Sequence, residues 1–209
     1  MSIYTPPTFV APVGPAISRL IRDYAFATLI TPGGAESFIS HLPLEYRDTP
    51  GPHGTLLGHM ARANPHWQHF GDGGSIAIFQ GPHAYVSPSW YAEPAAAVPT
   101  WNYAVAHVHG AAELMTEAET RALLDDLVAR YEAGRARPWR LQLEGRSLEA
   151  MLRAIVGFRL TVDRIDAKFK LSQNRSADDR ERVIAALRGE NRPDGVATAD
   201  WMDSYARGR

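Results

Sequence analysis

Between Leu56 and Trp67 the chain reads LLGHMARANPHW, an apolar start followed by His59, Arg62, Asn64 and His66 with a turn-forming Asn64-Pro65 among them. An anion is held by convergent donors: guanidinium, imidazole, amide and the backbone N–H groups at a helix start. His59, Arg62, Asn64 and the turn supply that set. The competing reading is an ordinary strand-to-helix corner whose polar groups satisfy each other, and local pattern does not separate the two.

A second donor cluster lies far along the chain in KFKLSQNR, with Lys168, Lys170, Ser172, Gln173, Asn174 and Arg175. A run of this kind is more often a solvated strand end. Between the clusters lie aromatic-rich segments carrying Trp90, Tyr91, Trp101 and Tyr103. Flat apolar walls and two donor clusters suit a planar, phosphorylated ligand. Flavin mononucleotide (FMN) is such a ligand, although spacing alone does not name it.

Two other groupings are weaker. His107 and His109 stand two apart in a predicted strand and so share a face with Trp101, Tyr103 and Val105. A third metal ligand at an obvious spacing is missing, so packed or interface histidines are the expectation and no metal is assigned. Ser87 and Ser89 flank Pro88, but no G-x-S-x-G surrounds either serine.

The elements that must position these residues are legible in outline. AISRLIRDY (16–24) has apolar residues at helical spacing. AFATLIT and AESFISHLPLEY, joined by PGG, predict a β-hairpin over 25–46. TLLGHM predicts a strand, and ARANPHWQHF a short helix entered at Asn64-Pro65. Residues 74–81 and 83–91 read as two β-runs joined by a tight Gly81-Pro82 turn. A long strand follows over 100–114. Over 116–134 comes the clearest helix, with Thr116 and Glu119 as a capping box. Further predictions are a helix over 147–155, a strand over 156–172 and a capped helix over 176–189. Residues 1–15, with four prolines, are expected to run extended, and the polar tail from Asn191 to be loosely held. Closely spaced β-runs without regular strand–helix alternation favour a small antiparallel barrel with added helices over a doubly wound sheet.

Composition narrows the class. At 209 residues, 45% hydrophobic and 22% charged, the chain is expected to form one domain, with a helical C-terminal extension about 176–209. A formal net charge of −1 lacks the general footprint of a nucleic-acid binder. With no cysteine there are no disulfides, thiolate metal sites or cysteine nucleophiles. The start MSIYTPPTFVAPVGP has no signal-peptide pattern, and no apolar run approaches the roughly 20 residues of a membrane span. The expectation is a cytoplasmic protein.

Taken in order, MSIYTPPTF, FATLIT, SHLPL, GTLLGHMARANPHW, AIFQGPHAYVSPSWY, VPTWNYAVAHVHG and KLSQNR resemble the PaiB-type FMN-binding negative transcriptional regulators. The motifs span nearly the whole chain. The resemblance implies a mainly β fold with peripheral helices: an antiparallel, Greek-key, FMN-binding split β-barrel like that of pyridoxamine-phosphate oxidases. It implies a homodimer with FMN at the subunit interface. On that resemblance, His59, Arg62 and Asn64 would form part of the phosphate and ribityl cradle. Thr28, Ser40 and His41 would line the isoalloxazine, and Lys170, Ser172, Gln173 and Asn174 would close the site from the partner subunit. A DNA or protein partner is implied by the regulator role, yet neither net charge nor a recognition helix supports direct DNA reading. Two alternatives stand beside the regulator. One is a flavin-dependent oxidoreductase, such as a flavin reductase or a pyridoxamine-phosphate-oxidase-like enzyme. The other is a haem-binding or haem-degrading protein with His41, His59, His107 or His109 as axial ligand.

Overall fold

The computed structural model describes residues 3–71 and 73–207. Of the extended N-terminal run expected over 1–15, residues 1 and 2 lie outside the described residues. Among the latter, the elements in chain order are α1 (Pro15–Asp23), β1 (Phe26–Gly33), β2 (Glu36–Pro43), β3 (Glu45–Arg47), β4 (Thr55–Ala61), β5 (Ser75–Val86), β6 (Thr100–Leu114), α2 (Glu117–Glu132), α3 (Gly145–Arg153), β7 (Ile155–Lys170), α4 (Ala177–Gly189) and α5 (Pro193–Arg207). The strands form one open sheet in the order β2-β1-β5-β6-β7-β4-β3. This is the antiparallel split-barrel class expected from the sequence.

The chain traces two compact units. One comprises the residues up to Tyr24, Phe79–His107 and the chain from Asp166 on; the other is Ala25–Ile78 with Val108–Ile165. In the first, Pro15 opens α1, where its missing N–H breaks no helical bond, and Ile17, Leu20 and Ile21 bury one face. α4 and α5 pack as a pair, and Trp201 of α5 sets its ring edge-on to Phe169 of β7, centroids 5.6 Å apart.

In the second unit, β1 and β2 form the expected hairpin, in register from Phe26↔Pro43 to Gly33↔Glu36. β4 pairs with β7 from Thr55↔Thr161 to Ala61↔Ile155. The predicted capping box is present: Thr116 Oγ1 accepts from the Glu119 N–H, and the Glu119 carboxylate accepts from the Thr116 N–H. α2 lies so close to β7 that a Cβ at Gly157 would stand 2.1 Å from Thr120 Oγ1.

Two expectations are corrected. There is no turn at Gly81-Pro82, because β5 runs unbroken from Ser75 to Val86. Gly81 is there for close approach: a Cβ would meet Leu20 Cδ1 at 2.5 Å and the Ala104 carbonyl oxygen at 3.2 Å. β1 pairs with β5 only over Ile76–Ile78, so the missing N–H of Pro82 breaks no bond to β1. As far as Arg207 the tail is not loosely held either, since α5 carries Thr198, Ala199, Trp201 and Met202 into the core, while residues 208 and 209 lie outside the described residues. Its apolar residues are too widely spread among polar ones for periodicity to show.

Candidate flavin site

Strand alternation sorts the predicted residues before any chemistry does. In β1, Ala27, Leu29 and Thr31 are buried, while Thr28 and Ile30 lie on the opposite face; in β2, Ser40 and Leu42 are buried, while Ile39 and His41 are exposed. Register places Thr28 opposite His41 on the outward face, and Thr28 Oγ1 lies 3.0 Å from His41 Nδ1. Phe26 (70% exposed) and Ile39 (58% exposed) flank that pair.

Ser40 faces the other way, into a buried hydrogen-bond chain. Its Oγ lies 2.8 Å from His66 Nδ1 and accepts from Asn64 Nδ2 at 3.0 Å. His66 Nε2 lies 2.9 Å from Thr31 Oγ1, which is 2.6 Å from Ser75 Oγ. Asn64 also caps the 3-10 turn Pro65–His69, its Oδ1 accepting from the His66 N–H. The predicted helix is therefore this single turn. Burial, and secondarily the His69 imidazole, holds the His66 pKa below its ordinary value.

His59 occupies a third place. It pairs with Gly157, on the strand face over which Thr120 of α2 sits. Its Nδ1 is buried without a hydrogen-bond partner among the described residues, and burial lowers its pKa. Arg62 follows β4 and lies exposed. Its Nε donates to the Arg153 carbonyl at 2.6 Å and its Nη2 to the Ile155 carbonyl at 2.8 Å, leaving Nη1 without a bond among the described residues.

Lys170, Ser172, Gln173 and Asn174 belong to the other unit. This run is not a solvated strand end. Lys168 and Ser172 are buried, and Ser172, at φ 64°, exchanges hydrogen bonds with Asn102. Lys170 Nζ donates to Thr100 Oγ1 and to the Trp101 carbonyl. Burial lowers the Lys170 pKa, and Lys168 and Arg175 push the same way. The Gln173 amide bonds the backbone of Phe169 and Leu171, and Asn174 is exposed.

His107 and His109 do share a strand face with Trp101, Tyr103 and Val105. Burial lowers the His107 pKa, with Asp166 opposing. Among the described residues no three His, Cys, Asp or Glu side chains cluster to hold a metal. The Ser87 and Ser89 hydroxyls bond each other at 2.7 Å, and Ser87 caps a 3-10 turn. His66 is the member of the opening motif that the predicted site omitted. Its signal was the Asn64-Pro65-His66 order, in which a capping Asn ties the next imidazole inward.

The donor set fits a flavin phosphate. An outward imidazole–hydroxyl pair between apolar side chains suits a planar ring with a polar edge, and Arg62 Nη1 is an unused cationic donor for a phosphate.

Comparison with known proteins agrees. A family described as "Putative FMN-binding domain" matches residues 3–164. The protease synthase and sporulation protein PAI 2 of Bacillus subtilis is 35% identical over 204 residues, 96% of this chain and 97% of that one. An uncharacterized protein of Aspergillus fumigatus is 30% identical, over 81% of this chain and 85% of its own. Among solved structures, the flavocytochrome Anf3 of Azotobacter vinelandii shares the fold at a TM-score of 0.60 and 14% identity, covering 79% of this chain and 72% of that one. The FAD and heme binding protein of Mycobacterium smegmatis does so at 0.57 and 18%, covering 81% and 76%. The chain belongs to the PaiB-type FMN-binding family, and its cofactor is FMN.

Proposed function

We propose that this chain is an FMN-binding homodimer acting in negative regulation of transcription through its flavin or a protein partner, without a DNA-reading helix of its own. The observation that carries the flavin site is the Thr28–His41 pair, set between exposed Phe26 and Ile39. Apolar side chains on either side of a polar pair offer a surface on which a planar ring can lie. In this reading Thr28 and His41 meet the edge of the isoalloxazine and Arg62 Nη1 answers the phosphate. His59 offers a neutral ring nitrogen, while Ser40 and Asn64 hold strand and turn behind them. Lys170, Ser172, Gln173 and Asn174 are assigned to the cofactor of a second copy, which makes the dimer part of the reading. The bound flavin supplies reversible electron and hydride chemistry.

The regulatory part is supported by the resemblance to the PaiB-type regulators and by the name of the Bacillus subtilis relative, protease synthase and sporulation protein PAI 2. The indirect route is supported by the charges of α4 and α5. Arg182 bonds Asp178, Arg188 bonds Asp200 and Asp203, and Arg207 bonds Asp203. A helix pair in which three guanidiniums, those of Arg182, Arg188 and Arg207, are engaged by its own carboxylates offers little basic surface to a phosphate backbone.

The test is calorimetric titration of the apo protein with FMN, then light scattering on the same sample. The expected result is about one FMN per chain on a dimer, with His41→Ala and Thr28→Val each weakening the flavin by roughly 0.5–1.5 kcal/mol, as for a single hydrogen bond. A monomer, or an affinity indifferent to both changes, overturns this site.

A second reading, a flavin-dependent oxidoreductase, is supported by a groove of about 400 Å³ in the first unit, lined by Gln80, His83, Trp101, Tyr103, Val105 and His107. Its aromatic walls suit a planar substrate. Catalytic flavin reduction by NADH or NADPH distinguishes this enzyme from the regulator.

A further inference from the structure

We infer that His66 is a positioning residue of the flavin site, locking the strand that carries His41 to the turn that carries Arg62 only while its imidazole is neutral. The inference rests on the site reading above. It concerns a residue that need not touch the flavin, because His66 is 1% exposed and every polar atom of its ring is already bonded.

The proton directions follow from the bonds. Ser40 Oγ accepts a proton from Asn64 Nδ2, and the remaining partner for its own proton is His66 Nδ1. Nδ1 is therefore the acceptor, and Nε2 carries the ring proton and donates to Thr31 Oγ1. The Thr31 hydroxyl then continues the chain to Ser75. Every member is satisfied in one direction. A second proton on the ring would set an N–H against the Ser40 O–H. The Ser40 hydroxyl would have to turn, and the Asn64 link that depends on its lone pairs would weaken.

What surrounds the ring opposes that charge. Thr31 of β1, Ser40 and Phe38 of β2, and Asn64, His69 and Phe70 around the 3-10 turn are its neighbours, and His69 is the titratable group acting on it. His69 stacks on Phe38, centroids 3.7 Å apart, and a charge there would repel one on His66. Ser40 immediately precedes His41, and Asn64 lies two residues after Arg62. Breaking the Ser40–His66–Asn64 link therefore frees two segments that the flavin needs held together. Acidification should release FMN through this histidine.

The test combines two measurements. In the apo protein, nitrogen-detected histidine NMR is expected to show His66 as the Nε2–H tautomer at neutral pH, titrating below a free imidazole. An Nδ1–H tautomer, or an ordinary titration, overturns the inference without any flavin or substitution.

FMN affinity is then followed over about pH 5 to 8 in the wild type and in His66→Asn, whose carbonyl can accept from Ser40 but cannot titrate. The flavin phosphate also titrates in this range, so the difference between the two proteins is the readout. The wild type should lose affinity more steeply than the variant, by up to about tenfold per pH unit, the linkage of one proton. Parallel pH profiles overturn the inference while leaving the flavin site standing. If Thr28→Val, His41→Ala and Arg62→Lys all leave FMN affinity unchanged at neutral pH, the site reading has failed and the inference falls with it.

Discussion

The Arg62 side chain donates to the Arg153 carbonyl at 2.6 Å, tying the turn after β4 to the end of α3. A second bond, to Ile155 at 2.8 Å, extends the tie into β7. Arg62 thus has a structural task beside the phosphate role assigned to it.

Arg62→Ala should consequently show two effects. Losing exposed bonds to carbonyls should cost about 0.5–1.5 kcal/mol of stability, and losing a charge-assisted bond about 1.5–3 kcal/mol of FMN affinity. Denaturant melts of the apo protein read the first and flavin titration the second. A stability loss with unchanged FMN affinity would reduce Arg62 to its structural task.

Gly157→Ala should destabilise by about 1–3 kcal/mol, the usual range for overpacking. The added Cβ would stand 2.1 Å from Thr120 Oγ1, and α2 would have to lift. Pairing the change with Thr120→Ser tests the cause: relief in the double variant is expected only if the methyl carries the clash. If the hydroxyl, the nearer atom, carries it, Thr120→Ala should relieve it instead. Equal losses in all three proteins would contradict the contact.

Glu119 should govern part of the acid stability. The Thr116 backbone N–H and hydroxyl, then Arg159, lower its pKa from 4.5 to about 2. A depressed carboxylate stabilises the fold above its unfolded pKa, and that contribution is lost as pH falls from 4.5 through about 2. Glu119→Gln should flatten this part of the stability–pH curve. Thermal melts across the window would show the same slope in both proteins if the capping box did not matter.

Trp201→Ala should cost about 3–5 kcal/mol, as for a buried aromatic truncated in a core. Trp201 is 3% exposed, lies edge-on to Phe169 and carries the Arg19 guanidinium 4.8 Å above its ring. A change of a few tenths in a denaturant melt would mean that α5 is a loosely attached tail after all.

Local chemistry made much of this fold legible. The β1–β2 hairpin could be read because two β-rich runs flank a Pro-Gly-Gly turn signal, and α2 because Thr116 and Glu119 stand at capping-box spacing. Gly81-Pro82 misled because the same dipeptide serves a turn or a close approach, and only Leu20, sixty-one residues away in the sequence, decides which. The firm packing of α5 was missed because its burial comes from α4 and Phe169, neither of which its own periodicity reports.

By itself the sequence determined the family and the cofactor, and it named the segments proposed for the site. These depend on residue types at fixed short spacings. Tertiary structure decided how those residues divide among faces. Thr28 and His41 point outward, Ser40 and Asn64 are tied inward through His66, and His59 lies on the strand face that α2 approaches. Strand alternation puts neighbours on opposite sides, and long-range register decides which side is buried, so adjacent residues such as Ser40 and His41 come to do different work.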